Sequence, residues 1–329
     1  MTFSVTVLPT AENQMLAMAI RFIVALFVSH LAGCQPAATP ASTSPTSSAR
    51  PLKIAVTSQV LLEMTRAICN DNFEVVKLIP NGISSRHWEP SGDDARTLQQ
   101  AKLILISGAG YEPWKDRVSL PGSRVKDTAA GYYGEFIRIP DAVAHQHGPE
   151  GKHSHPGTVW ATWLDPDLAI AQLQHVTNAC AKVAPEQKSD LETAATKLKA
   201  QLEALNPLIL QLRELPHPEH FQVIADGPFY QYLTARLDWP LRYMHWEEDA
   251  EELSDVNKQE LVDMLTKSPE SPRRIFLLST QRAASVEDFV ASTGLMVVRI
   301  DLCEIPLDPE VEFTDRLRGN LERLKETGR

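Results

Sequence analysis

Residues 163–215 read WLDPDLAIAQLQHVTNACAKVAPEQKSDLETAATKLKAQLEALNPLILQLREL. Asp165 has the short acceptor side chain of a helix N-cap. Pro166 suits the first helical position, where an amide would have no partner anyway. Apolar residues then return every three or four positions as far as Leu212, the spacing of one face of an α-helix. Pro185 lacks an amide donor and divides the run. The pattern predicts two successive helices, the second over Glu186–Leu212 and about 40 Å long at 1.5 Å per residue. A rod of that length runs along a whole domain, so the segments on its two sides define the fold.

On the N-terminal side, strand-like and helix-like runs alternate. LKIAVTS (52–58) and FEVVKLIP (73–80) are rich in branched apolar residues, VLLEMTRAIC (60–69) and DDARTLQQA (93–101) have helical spacing, and KLILISGAG (102–110) is an apolar strand ending in glycines. After PHPEH (216–220) the alternation restarts with FQVIADG, FYQYLTARL, LRYMHWE, VNKQELVDMLTKS, RRIFLLST, ASVEDFVAST and MVVRIDL, and FTDRLRGNLERLKE closes the chain as an amphipathic helix. Alternation of this kind means α/β units with mostly parallel sheets. The expected fold is therefore two Rossmann-like α/β lobes, 51–164 and 216–329, joined by long rigid linking helices over 165–215. Ligands of open α/β sheets sit beyond the carboxyl ends of the strands, so two facing lobes make a cleft.

The chain has 329 residues and a formal net charge of −10. That length favours two domains over one, and the acidic balance argues against nucleic acid as a partner. Its first 34 residues differ from the rest. Arg21 precedes the apolar run Phe22–Val28, which ends at LAGC, Leu31–Cys34. A basic flank, a short apolar core and small residues describe a secretory signal, and because the segment before Arg21 lacks positive charge, translation is expected to start at Met15 or Met18. The core is too short to span a bilayer, which takes about 20 apolar residues. LAGC resembles the lipobox of bacterial lipoproteins, which implies that Cys34 carries the lipid and becomes the mature N-terminus. Gln35 after it points to the outer membrane in a cell with two. Residues 35–50, QPAATPASTSPTSSAR, cannot build a core and read as a flexible tether. Cys69, Cys180 and Cys303 remain. Export permits a disulfide, and spacing selects no pair.

Histidine is concentrated at 145–155, HQHGPEGKHSH, which holds His145, His147, His153 and His155 among the ten of the chain. A glycine- and proline-containing loop with several neutral imidazoles binds divalent metal ions. His87 lies in the loop after the second strand, near the carboxyl end of a sheet and ahead of a helix N-cap at Ser91. Such a position suits a ligand. His175 reads as a face residue of the linking helix. His217 and His220 read as surface, His245 as a weaker cleft candidate, and WEEDAEEL (246–253) as a solvated acidic face.

RHWEPSGDDARTLQQAKLILISGAGYEPW (86–114) resembles the first signature of the zinc/manganese ABC-transporter solute-binding proteins. TWLDPDLAIAQ resembles that family's entry to its linking helix, DGPFYQYLTARL and HWEEDAEEL its second-lobe segments, and MVVRIDLCEIP its last strand. The resemblance covers about residues 52–306. It implies two lobes bridged by a long helix with one metal ion between them, Zn²⁺ or Mn²⁺. It also implies an extracytoplasmic monomer that passes the ion to a membrane permease and its ATPase, without chemistry on the ion.

The family's ligand set is three histidines and one carboxylate, a set suited to four-coordinate zinc. His87 matches the first histidine and Asp301 the carboxylate. The place of the second histidine is Ala161. The place of the third is Gly227, or Asp226 if the alignment slips by one. Two explanations stand. In one, His153 or His155 folds back to supply the missing nitrogen and Asp226 is the fourth ligand, with His145 and His147 as an auxiliary collecting loop. In the other, the scaffold has lost its ion and binds another ligand or a partner protein. An exported zinc hydrolase is a third possibility, but HExxH and GxSxG are both absent from the sequence.

Overall fold

Ile54, Ala55 and Val56 are all without solvent exposure, because the strand that carries them, β1 (Leu52–Val56), lies inside a parallel sheet covered on both faces. The first sheet adds β2 (Phe73–Lys77), β3 (Leu103–Ile106) and β4 (Val125–Asp127), in the order β2-β1-β3-β4. All its pairings are parallel. Helix α1 (Gln59–Ile68) joins β1 to β2 and α2 (Gly92–Gln100) leads into β3. Ser91 caps α2 as expected, and its capping box with Asp94 is complete.

The computed structural model describes residues 50–85, 88–139, 144–146, 152–154, 157–215, 221–247, 250–267, 273–306 and 308–327. The expected signal segment, Cys34 and the tether up to residue 49 lie outside them, as do His87, His147, His155, His217 and His220. No helix among the described residues is long and apolar enough to cross a membrane.

The 145–155 segment, read from the sequence as a loop, contains β5 (Ala144–Gln146) and β6 (Lys152–Ser154). They pair antiparallel, with His145 in register with His153. Strands of three residues are too short to show alternation, so the pattern concealed them.

The linking segment is α3 (Pro166–Val183), a single 3₁₀ turn at Pro185–Gln187, α4 (Lys188–Glu203) and α5 (Asn206–Arg213). Asp165 is the N-cap of α3, accepting from the Asp167 amide, and Pro166 takes the first turn. The expected second helix is thus two helices. Pro207 removes a donor and its ring opposes the carbonyl four residues back, at Glu203, which is where α4 stops.

The second sheet contains β7 (Phe221–Ala225), β8 (Leu241–Tyr243), β9 (Arg273–Ser279) and β10 (Met296–Ile300), ordered β10-β9-β7-β8. Counted within each lobe, both sheets have the strand order second, first, third, fourth. Helices α6 (Gln231–Arg236), α7 (Asp255–Lys267), α8 (Ala284–Ser292) and α9 (Phe313–Glu326) accompany it.

Strand alternation divides the core. Ile54, Val56, Leu103 and Leu105 of the first sheet share one cluster with Val223, Ala225, Ile275 and Leu277 of the second. Leu173, Val176, Leu198, Leu202 and Leu212 of the linking helices complete it. The intervening residues face outward into separate clusters, Ala55, Ile104 and Ile106 in one lobe and Ile224, Phe276 and Leu278 in the other. Period-two side chains on two sheets thus give one shared core and two private ones.

Where the strand ends approach, Trp160 bridges the lobes. Its ring centroid lies 5.3 Å from Tyr111, 5.4 Å from Trp163 and 5.3 Å from Phe229. Trp163 Nε1 donates to Leu302 O at 2.9 Å, in the buried interior. A Trp163→Phe variant keeps one aromatic ring in the core, leaves a small gap and deprives that carbonyl of its donor. Urea denaturation should show a loss of about 1–3 kcal/mol; an unchanged midpoint would show that the contact contributes nothing.

Candidate metal site

Two carboxylates stand at the carboxyl ends of second-lobe strands. Asp301 follows β10 directly and is 6% exposed. Asn320 of α9 clamps its backbone on both sides: the Asp301 amide donates to Asn320 Oδ1 and Asn320 Nδ2 donates to Asp301 O, each at 2.8 Å. The Cys303 amide donates to Asp301 Oδ1 at 2.7 Å. That turn requires Cys303 to adopt φ 61°, an unusual conformation for a residue with a side chain. Among the described residues, Asp301 Oδ2 accepts no hydrogen bond and the carboxylate is in no ion pair. Asp301 is therefore a fixed carboxylate with one oxygen at liberty.

Asp226 follows β7, at the point where the second sheet's strand order reverses. It is 1% exposed. Its Oδ2 accepts from Arg282 Nε at 2.7 Å and its Oδ1 from Tyr230 Oη at 2.7 Å. The Arg282 side chain is wholly buried and also donates to the carbonyl oxygens of Trp246, at 3.3 Å, and of Glu247. The structure thus qualifies the expectation for Asp226: a guanidinium already neutralises it, and lone pairs, not net charge, are what it has left to offer. Sequence spacing had no means of finding Arg282, 56 residues away. The stretch expected to be a solvated acidic face supplies the two carbonyls. Within it Trp246 is buried and stacks on Phe276 at 5.3 Å.

Gly227 is explained by space. A Cβ there would lie 2.2 Å from the Phe229 ring, so no larger residue fits with that ring in place. Ala161 is fully buried beside Trp160 in the shared core. His175 is half-buried on α3, and its Nε2 would lie 1.9 Å from a Cβ at Gly131. It packs against the first lobe and faces no cleft. His245 is exposed, with its ring edge-on to Tyr243 at 5.3 Å.

In the first lobe, the loop carrying His87 is held at both ends. Ser85 and Trp88 are buried, and Trp88 meets Trp114 edge-on at 5.0 Å. Ser84 Oγ donates to Glu304 Oε1 at 3.4 Å. That bond joins the residue three before His87 to the residue three after Asp301. A second tie, Arg316 NH2 to Glu63 Oε1 at 2.7 Å, links α9 to α1. Among the described residues no group of three or more His, Cys, Asp or Glu side chains converges on one point. Of the expected ligand set, Asp301 and Asp226 are described near the strand ends. The remaining nitrogens of the expected set belong to His87 and to the histidine hairpin.

The first sheet's own reversal point, between β1 and β3, holds Glu112. Thr57 Oγ1 and the Ser107 amide donate to its Oε1, each at 2.6 Å, and the Gly108 amide donates to its Oε2 at 3.1 Å. Burial raises its pKa from 4.5 to about 7, against the three hydrogen bonds that lower it. The glycines of SGAG allow this turn. Gly108, Ala109 and Gly110 all have positive φ, and a Cβ at Gly108 would meet Asp127 Oδ1 at 2.2 Å. Glu112 fastens a loop to the strand ends and is committed to that task.

Twin parallel sheets of one topology, a helical bridge and strand-end carboxylates at their junction define a two-lobed binding protein. Residues 54–327 match the family model described as zinc-uptake complex component A, periplasmic, and the chain belongs to that family. Among curated relatives, a putative metal-binding protein of Treponema pallidum (strain Nichols) is 27% identical over 283 residues, 83% of this chain and 86% of its own. The high-affinity zinc uptake system protein ZnuA of Bacillus subtilis (strain 168) is 21% identical over 323 residues, covering 93% and 96%. Among solved structures, the solute-binding protein FpvC of Pseudomonas aeruginosa, in complex with Mn²⁺, superposes with a TM-score of 0.68. It is 18% identical, and the match covers 84% of this chain and 98% of that one. The last likeness shows that the fold is shared.

Arg282→Met leaves Asp226 charged and buried without its partner. The expected loss is about 3–5 kcal/mol by urea denaturation, partly recovered in Asp226→Asn/Arg282→Met. A single variant as stable as the parent would remove the ion pair from the account. For Glu112 the folded pKa lies above the unfolded one, so its contribution is intact below pH 4.5 and is lost as pH rises to about 7. Relative to Glu112→Gln, the parent should lose about 3 kcal/mol between those limits. Parallel stability–pH profiles for the two proteins would contradict this.

Proposed function

We propose that this chain is the extracytoplasmic binding component of a metal ABC importer. It captures Zn²⁺, or Mn²⁺, and delivers the ion to a membrane permease served by an ATPase. It works as a monomer held to the membrane through lipid on Cys34, and it performs no chemistry on its cargo. The proposed donors are His87, a hairpin histidine (His153 or His155) and Asp301, with Asp226 closing the set from its place beside Arg282. His145 and His147 collect ions at the rim.

The observation that supports this reading is the Ser84–Glu304 hydrogen bond, which joins a residue three before His87 to a residue three after Asp301. Family membership agrees with it. Asp301 supplies a held oxygen, and ligating carboxylates are ordinarily steadied by just such outer hydrogen bonds. Two imidazole nitrogens favour zinc, and two carboxylates keep manganese within range.

Calorimetric titration of the purified full chain with Zn²⁺ and Mn²⁺ tests the proposal. Asp301→Ala and His87→Ala should each weaken zinc binding at least tenfold, as should His153→Ala/His155→Ala, and affinity should fall as pH drops through about 6.5 because protonated imidazole cannot ligate. Equal affinity in all variants, or zinc-dependent hydrolytic turnover, would overturn it.

A further inference from the structure

Cys69 and Cys180 are far apart in sequence, and the fold brings their side chains together. Cys69 caps the C-terminus of α1, with its amide bonded to Thr65 O at 2.9 Å. Cys180 is fully buried on α3, and Cys69, half-buried, packs against the core cluster that contains it. The two thiols are near enough for Cys69, together with burial, to push the Cys180 thiol's pKa up. The neighbouring contact is firm: Asn70 Nδ2 donates to Gln187 Oε1 at 2.9 Å, fixing the end of α1 to the turn between α3 and α4. Cys303 is elsewhere. Its thiol faces Asp301 O at 3.6 Å, and the charged groups that act on it are Asp301, Arg316, Glu63 and Arg323.

We propose that Cys69 and Cys180 form a disulfide between α1 and α3, while Cys303 remains a thiol. The oxidant is a disulfide compound of the kind met outside the cytoplasm. The Cys69 thiolate, on the accessible side, attacks one of its sulfurs, breaks the S–S bond and expels one thiol. Cys180 then attacks the Cys69 sulfur, its proton passing to the second small thiolate as that group leaves as a thiol. Two protein thiols and one small disulfide become one protein disulfide and two small thiols. The high pKa of Cys180 makes the second step faster as pH rises. The cross-link closes a loop of about 110 residues, long enough for a marked stabilisation in the chain-entropy account, and it pins the first lobe to the linking helices. Where the bond forms in the cell rests on the extracytoplasmic reading; whether it forms does not.

The test oxidises the reduced, purified full chain with oxidised glutathione at pH 8, followed by alkylation and non-reducing peptide mass spectrometry. The expected product joins the Cys69 and Cys180 peptides, two hydrogens lighter than their sum, with Cys303 alkylated. Oxidation should raise the melting midpoint by roughly 5 °C or more, and should not do so in Cys69→Ala. Cys69 found only as a glutathione adduct beside an alkylated Cys180, or a bond to Cys303, would overturn the proposal. Zinc titration of both redox forms separates the two readings: a disulfide without metal binding fails the transport function alone, and metal binding without a disulfide fails this one alone.

Discussion

Trp160 stands where a gap between two sheets would otherwise be. Its ring touches Tyr111 of one lobe and Phe229 of the other, and its neighbour Trp163 reaches across to the Leu302 carbonyl. Large aromatic rings bury much area at small entropic cost, so this junction helps to hold the two sets of strand ends near each other. The Asp301 turn is tied to it through Leu302, and Glu304 just beyond accepts from Ser84 of the first lobe.

The two carboxylates of the second lobe differ in kind because their surroundings differ. Asp301 is held by amides and by Asn320, and among the described residues one oxygen is unclaimed. Asp226 is held by a guanidinium and a phenol, and both oxygens are engaged. The first lobe repeats the second arrangement with Glu112, which three donors hold at the equivalent reversal of strand order. In both lobes, then, the crevice that usually receives a ligand is already occupied by the protein's own carboxylate and its partners. The Asp301 turn stands at the edge strand β10, one strand removed from that crevice, and the proposed His87 donor follows the other lobe's edge strand, β2.

Much of the architecture was legible because it is written in short-range patterns. The branched runs at 52–58, 102–110 and 273–280 are strands, Ser91 and Asp165 cap helices, and the linking segment is helical. The errors came from places where periodicity and stereochemistry disagree. Leucines continue at helical spacing through Leu205 and Ile209, yet Pro207 stops the backbone ladder. His145 and His153 pair in a hairpin too brief to announce itself. Of the candidate site, Asp301 and Asp226 were named through the family resemblance, and both stand at strand ends. Arg282, Asn320 and the Cys69–Cys180 encounter were not, since each depends on residues that only the folded chain brings into contact.

The shared core has a consequence for how this chain can be divided. Ile54 and Val56 share one core cluster with the linking helices and with Val223 and Ile275, so cutting near residue 215 would expose apolar surface on each side. Neither half is a module that evolution or an engineer can transplant by itself. What looks like a pair of domains with a connector is, in thermodynamic terms, one cooperative body whose connector is its interior.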